Sequence, residues 1–139
     1  MRILIGILLL IHGLISAGIS LGMLGGGNST PENPSWLGWW PTPVGRSWLL
    51  NLLGLEPSII SRLFALLWVV GGLCFLASGV GLLIGQEWWR AIAIVGAAFS
   101  VVALVVYLHP WYWFALALNA GIFVALWWAH WPPAGMVGS

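Results

Sequence analysis

Residues 63–85 read LFALLWVVGGLCFLASGVGLLIG and include no charged side chain. An α-helix rises about 1.5 Å per residue, so this stretch would form a helix about 34 Å long. The hydrocarbon layer of a membrane is about 30 Å thick. The segment therefore predicts a helix that crosses a membrane, and the rest of the chain is interpreted around it.

Small side chains recur along this segment at steps of three and four residues, which places them on one face of a helix. They are Gly71, Cys74, Ser78, Gly81 and Gly85. Helices in lipid gain little from burying leucine against leucine, whereas small residues let two backbones approach closely. We therefore expect this face to contact a neighbouring helix and the segment to lie at the centre of a bundle.

The composition of the whole chain agrees with a membrane protein. Of 139 residues, 61% are hydrophobic and 5% are charged, and the mean hydropathy is +1.03. A soluble domain carries about 25% charged residues, so this chain cannot present a hydrated surface all round. The net charge of +1 includes no cluster of basic residues, which argues against a nucleic-acid partner. Cys74 is the only cysteine, which excludes an intrachain disulfide.

Apolar runs separated by helix breakers predict an all-α integral membrane protein, an antiparallel four-helix bundle in which residues 1–139 form one transmembrane domain. The expected spans are residues 3–23, 58–85, 91–108 and 111–131. The first run also has the features of a signal peptide, but we interpret it as a span. Pro132 and Pro133 should end the fourth span, and the tail after them should be frayed.

The loop at residues 25–57 is rich in turn formers and in tryptophan. Its tryptophans are Trp36, Trp39, Trp40 and Trp48. Tryptophan prefers the headgroup level, where the indole N–H is hydrated, so the loop should lie at the membrane interface. Residues 46–55 predict a short interfacial helix with Ser47 and Asn51 on its polar face. Four spans put both termini on one side, and the long loop favours a cytoplasmic location for them.

The other tryptophans divide between the two ends of the expected bundle. Trp111 and Trp113 should join the loop tryptophans at one interface. Trp88, Trp89, Trp127, Trp128 and Trp131 should form a belt at the opposite interface.

Two polar side chains fall near the middle of expected spans, His12 in the first and Asn119 in the fourth. At membrane depth such groups must find a partner or water, which makes them functional candidates. One interpretation places them together at the floor of a polar cavity that binds a ligand, with Ser16 on the same face as His12. The alternative is a structural interhelical hydrogen bond, worth about 0.6 kcal/mol in membranes.

A second polar group should gather where the second and fourth spans begin and the third ends. Its members are Glu56, Arg62, Tyr107, His109 and Tyr112, with Trp40 of the loop folded over them. They are interpreted as the mouth of a pocket that holds the polar head of a lipid or quinone. Alternatively, Arg62 extends to lipid phosphate and the tyrosines and histidine simply decorate the interface.

Several chemistries have no support in the sequence. No carboxylate lies within an expected span, and aspartate is absent, so neither an intramembrane acid nor a Ser-His-Asp arrangement can be assigned. Neither paired histidines at ligand spacing nor a second cysteine suggests a metal site. We therefore predict no catalytic residue and no metal.

The order of segments resembles that of a known family. A first helix beginning RILIGILLLIHGL is followed by a loop, by GGL at residues 71–73 and by SGVGLL at residues 78–83. This layout resembles the DoxX-like group of small four-helix bacterial membrane proteins. The resemblance implies a bacterial or archaeal cytoplasmic-membrane protein, an accessory partner of redox or sulfur-oxidising enzymes, with quinone as a ligand in some members. It assigns no catalytic residue to this chain.

Together these features predict a non-enzymatic integral membrane protein. It would be an accessory subunit, in a membrane complex or a homo-oligomer, or a binder of a lipophilic molecule, either lipid or quinone. A first alternative is the small membrane subunit of a quinone-linked oxidoreductase. A small transporter or channel is a further alternative that requires a continuous polar path.

Overall fold

A computed structural model describes residues 1–24, 33–43, 45–55 and 59–137 of the chain. Every regular element within these residues is helical. The long helices are α1 (Arg2–Leu24), α3 (Ile59–Leu83), α4 (Trp89–Val106) and α5 (Trp113–Trp127); the short ones are α2 (Trp48–Leu52) and α6 (Ala134–Val137), with 3-10 turns at Ser35–Leu37 and Pro110–Tyr112. Four helical segments are long and apolar enough to cross a membrane. The all-helical class is confirmed.

Helix α3 contacts α4 through the small-residue face that the sequence predicts. A Cβ atom added to Gly71 would lie 2.5 Å from Oγ of Ser100 and 3.1 Å from the carbonyl oxygen of Gly96. A Cβ added to Gly96 would lie 2.9 Å from Cβ of Cys74. The two backbones thus approach too closely for larger side chains, and the expected contact is confirmed.

A second small-residue face on α3 contacts α1, and this face was not predicted. A Cβ added to Gly13 would lie 2.8 Å from the carbonyl oxygen of Gly72. One added to Gly79 would lie 2.9 Å from the carbonyl oxygen of Gly6. The sequence carries the signal, because the glycines of each helix are two turns apart and fall on one face. Helix α3 therefore lies between α1 and α4, and α5 packs on α4.

The C-terminal tail is folded against the helices, contrary to the expectation that it is frayed. Val137 of α6 is 2% exposed. It belongs to a core cluster with Leu9, Phe75, Leu82, Trp89, Ala93, Ala97 and Leu126. Burying an apolar side chain of this size stabilises a fold by about 1.5–3 kcal/mol, which offsets the cost of ordering the short tail. Residues 138 and 139 lie outside the described part of the chain.

Helix α5 ends at Trp127 rather than at residue 131, well before the two prolines. The N–H groups of Trp128 and Ala129 both donate to the carbonyl oxygen of Val124, at 3.0 Å. His130 then adopts a positive φ of 48°, which a helix does not allow. Beyond this turn, Nη2 of Arg90 donates to the carbonyl oxygen of Pro132. Local hydrogen bonding thus ends the helix and directs the tail back toward α4.

The short helix α2 packs on α4. Ser47 precedes it and is buried. Its hydroxyl accepts from the N–H of Leu50 at 3.0 Å and donates to the carbonyl oxygen of Val106 at 2.7 Å. Asn51, one turn later, is exposed.

Two tryptophans also depart from the expected hydration at the interface. The indole N–H of Trp48 donates to the carbonyl oxygen of Val105 at 2.9 Å rather than being left to water. Trp89 is buried in the core, and its carbonyl oxygen accepts a hydrogen bond from the Ser78 hydroxyl at 2.7 Å.

Candidate functional site

The two mid-span polar side chains meet. Nε2 of His12 on α1 lies 3.2 Å from Oδ1 of Asn119 on α5. His12 is half-buried, and Asn119 is only 1% exposed. Both lie near the middle of the apolar windows Arg2–Ile19 and Pro110–Trp127. We call His12 and Asn119 the mid-span pair.

The surroundings of the mid-span pair orient both side chains. Nδ2 of Asn119 donates to the carbonyl oxygen of Ala115, one turn earlier in α5, at 2.8 Å. This contact leaves Oδ1 to accept from the imidazole. The ring of His12 lies edge-on to Phe75 of α3, with 4.7 Å between ring centroids. One hydrogen bond and one aromatic contact thus connect α1 with α5 and α3.

Ser16 lies one turn after His12 on the same face of α1 and is buried. Ser16 already has an interaction partner, so its hydroxyl is not free. Its burial extends the polar stripe of α1 beyond His12.

The second predicted group is a packed aromatic cluster at the end of α4 and the start of α5. The rings of Trp68 and Tyr112 are 5.3 Å apart, and those of Trp68 and Tyr107 are 6.5 Å apart. His109 lies 6.1 Å from Tyr112 on one side and 6.1 Å from Trp40 on the other, between ring centroids. We call these five residues the outer cluster. Trp68, Tyr107, His109 and Tyr112 are all buried. That this group forms the mouth of a pocket stays a prediction.

His109 is the hydrogen-bonded centre of the outer cluster. Its Nδ1 accepts from the N–H of Trp111 at 3.3 Å, and its Nε2 lies 3.1 Å from Oδ1 of Asn33. Since Nδ1 accepts, Nε2 carries the hydrogen and donates to Asn33. Nδ2 of Asn33 in turn donates to the carbonyl oxygen of Thr42 at 3.0 Å. Burial lowers the pKa of His109, which favours this neutral form.

Two polar atoms next to this network have no hydrogen-bond partner among the described residues. They are Nε1 of Trp40 and Oγ1 of Thr42, and both are buried. Buried polar atoms usually pair with protein or with ordered water. The loop side of the outer cluster therefore retains capacity for hydrogen bonding.

No hydrogen bond or ion pair among the described residues joins Arg62 to the outer cluster. Arg62 is exposed on α3. Glu56 lies outside the described residues. The prediction that they take part in a binding site therefore stays a prediction.

Sequence reasoning missed Asn33 and Trp68. Asn33 belongs to a run of turn formers and precedes a proline, and nothing local distinguishes it from the other asparagines of the loop. Trp68 lies at an ordinary apolar position of the segment at residues 63–85. Their roles depend on contacts with distant residues, which only the folded chain brings together.

An apolar groove of about 380 Å³ also runs along α3, away from the mid-span pair. It is lined by Ile60, Leu63, Phe64, Leu66, Leu67 and Val70. Within the described residues, no group of three or more His, Cys, Asp or Glu side chains could hold a metal ion. The chemistry that these sites offer is hydrogen bonding and apolar contact.

No protein-family model, curated protein sequence or solved structure matches this chain. The resemblance to the DoxX-like group therefore stays a prediction.

Proposed function

We propose that this chain is an integral membrane protein built as an antiparallel four-helix bundle. The glycine contacts support this arrangement, because Gly6 near the start of α1 faces Gly79 near the end of α3. The hydroxyl of Ser78 near the end of α3 likewise donates to the carbonyl oxygen of Trp89 at the start of α4. Residues 33–43 and 45–55 would cover one end of the bundle, and both termini would lie on the opposite side, in the cytoplasm.

We further propose that the bundle binds a lipophilic molecule, lipid or quinone, at the mid-span pair and performs no catalysis of its own. The hydrogen bond between His12 and Asn119 carries this proposal. Polar side chains at membrane depth are costly and are found mainly where they pair or contact a ligand. His12 is only half-buried, so the pair is within reach of a molecule that enters from the lipid. A binding protein of this kind suits an accessory role in a membrane complex or a homo-oligomer.

Extraction of the protein with its surrounding lipid tests the proposal. The wild type and His12→Leu are taken from membranes in polymer nanodiscs, and their lipophiles are identified by liquid chromatography and mass spectrometry. We expect one lipophile to be enriched over the bulk membrane in the wild type and lost in His12→Leu. His130→Asn is the matched control, because it removes an exposed histidine and asparagine tolerates the positive φ at that position. Identical lipophile profiles for wild type and His12→Leu would refute the proposal.

His12→Gln guards against a folding defect in His12→Leu. Its amide nitrogen can still donate to Asn119, so the interhelical hydrogen bond is retained. The unfolding midpoint in detergent should match that of the wild type. A loss of lipophile that occurs only in variants with a lowered midpoint would indicate a structural role for the pair.

A further inference from the structure

The hydrogen bonds of Asn119 determine which nitrogen of His12 carries the proton. Nδ2 of Asn119 donates to the carbonyl oxygen of Ala115, and a carbonyl oxygen can only accept. The atom that faces His12 is therefore the amide oxygen Oδ1, which also only accepts. Nε2 of His12 must supply the hydrogen in this bond.

The imidazole of His12 is neutral in this setting, so its other nitrogen is a bare acceptor. The sequence of the four long helices contains no carboxylate, and a charged imidazolium at membrane depth is costly without a counter-charge. A neutral imidazole with its hydrogen on Nε2 has a lone pair on Nδ1. Among the described residues, nothing hydrogen-bonds to Nδ1, and the His12 side chain is only half-buried.

A hydrogen-bond acceptor that has no partner in hydrocarbon is unfavourable in free energy. A donor that pairs with it removes this penalty. Lipid tails offer no donor, and the residues beside His12 on the outer surface of α1 are apolar. Leu8 and Ile15 lie one turn before and one turn after His12, and both are exposed. The local surface is thus one lone pair surrounded by hydrocarbon.

We infer that the mid-span pair selects a lipophile whose head carries a hydroxyl group, an alcohol or a phenol, which donates to Nδ1 of His12. This inference rests on the proposed function and names the ligand class. The apolar tail would lie along the exposed side chains of α1. Quinone carbonyl oxygens only accept and find no partner at Nδ1, whereas the hydroxyls of the reduced hydroquinone donate. The site therefore takes the hydroquinone in preference to the quinone.

Photolabelling with a matched pair of probes tests the inference. The probes are hexadecanol with a diazirine in its chain and the methyl ether of the same molecule, added to the protein in phospholipid nanodiscs. Labelled peptides are mapped by mass spectrometry. We expect the alcohol to label the peptide around residue 12 about 3- to 20-fold more than the ether, the range that one intramembrane hydrogen bond provides. An alkyl hydroquinone should compete for this label, and the corresponding alkyl benzoquinone should not.

His12→Trp is the decisive variant, because the indole N–H keeps a donor for Asn119 while the ring carries carbon in place of the acceptor Nδ1. We expect this variant to label equally with alcohol and ether. If wild type labels equally with both probes near residue 12, lipophile binding stands and hydroxyl selection is overturned. If neither probe labels near residue 12, the proposed function fails with it. An alcohol preference that persists in His12→Trp also overturns the inference, because the acceptor must then lie elsewhere.

Discussion

His109 and Asn33 are hydrogen-bonded across 3.1 Å, and this contact attaches the tryptophan-rich segment 33–43 to the junction between α4 and α5. Asn33 also donates to the carbonyl oxygen of Thr42, so it connects His109 with the other end of the same segment. Trp40 adds a ring contact with His109 from the same side. The buried imidazole of His109 is thus one attachment point for a segment with little regular structure of its own, beside the ring contact of Trp36 with Trp111.

The first prediction concerns the pH dependence of this attachment. Burial lowers the pKa of His109 below its ordinary value of 6.5, so folding favours the neutral ring. The neutral ring of His109 therefore stabilises the folded state. This contribution is complete above pH 6.5 and is lost as the pH falls through the lowered pKa of His109, because protonation removes the acceptor for the N–H of Trp111. We expect amide exchange in residues 33–43, corrected for its intrinsic rate, to accelerate over this acidic range. Tyr112 is the titratable neighbour in the outer cluster and stays protonated there.

His109→Gln is the control for the pH prediction, since glutamine can donate to Asn33 but does not titrate. Its exchange in the same segment should be independent of pH. An acceleration in the wild type that recurs unchanged in His109→Gln would assign the effect to another group.

The second prediction compares two glycines of α1. A Cβ at Gly13 meets the backbone of α3 at 2.8 Å, whereas one at Gly18 has no atom within 4 Å. We expect Gly13→Ala to lower the free energy of unfolding by about 1–3 kcal/mol, because backbone must move. Gly18→Ala should leave it unchanged or raise it by about 0.5–1 kcal/mol through helix propensity. Unfolding titrations in mixed micelles measure both, and equal effects would contradict the close approach of α1 and α3.

The third prediction concerns the hydroxyl of Ser47. It caps α2 and also donates to the carbonyl oxygen of Val106. Ser47→Ala should lower the local stability of α2 by about 1–2 kcal/mol, since both bonds are lost together. Faster proteolysis within residues 45–55 would report this opening. Ser35→Ala, at an exposed position, should leave the cleavage rate unchanged.

The fourth prediction concerns the tail. Val137 is buried in the core cluster, while its neighbour Met136 is 49% exposed. Val137→Ala should reduce the free energy of unfolding by about 1–2 kcal/mol, the cost of removing two buried methyl groups. Met136→Ala should have little effect. Thermal unfolding in detergent distinguishes the two, and matching midpoints would mean that the tail does not pack as described.

The helix content of this protein was predictable, and so was part of the packing. Long uncharged runs satisfy their backbone hydrogen bonds internally, which makes them helices in any apolar solvent. The face of α3 that carries Gly71 and Ser78 was predicted to meet a helix because small residues recur on it. The face that carries Gly72 and Gly79 was overlooked, although its period is equally regular.

The candidate site was predictable only as residue types. His12 and Asn119 stood out because polar side chains are rare in apolar runs, yet their atomic contact and the orientation of the amide depend on the fold. Asn33 gave no signal at all, because its partner His109 is 76 positions away. The end of α5 at Trp127 was also beyond the sequence, since the prolines at 132 and 133 suggested a later end.

The sequence by itself determined four apolar helices, a small-residue face on the third long segment and two mid-span polar positions, because these follow from local composition and helical period. The tertiary structure alone decided which atoms of those residues meet, that Ser47 and Val137 are buried, and that Nδ1 of His12 has no hydrogen-bond partner among the described residues. Hydrogen bonds and burial join residues that are distant in the chain, and no local pattern encodes their geometry.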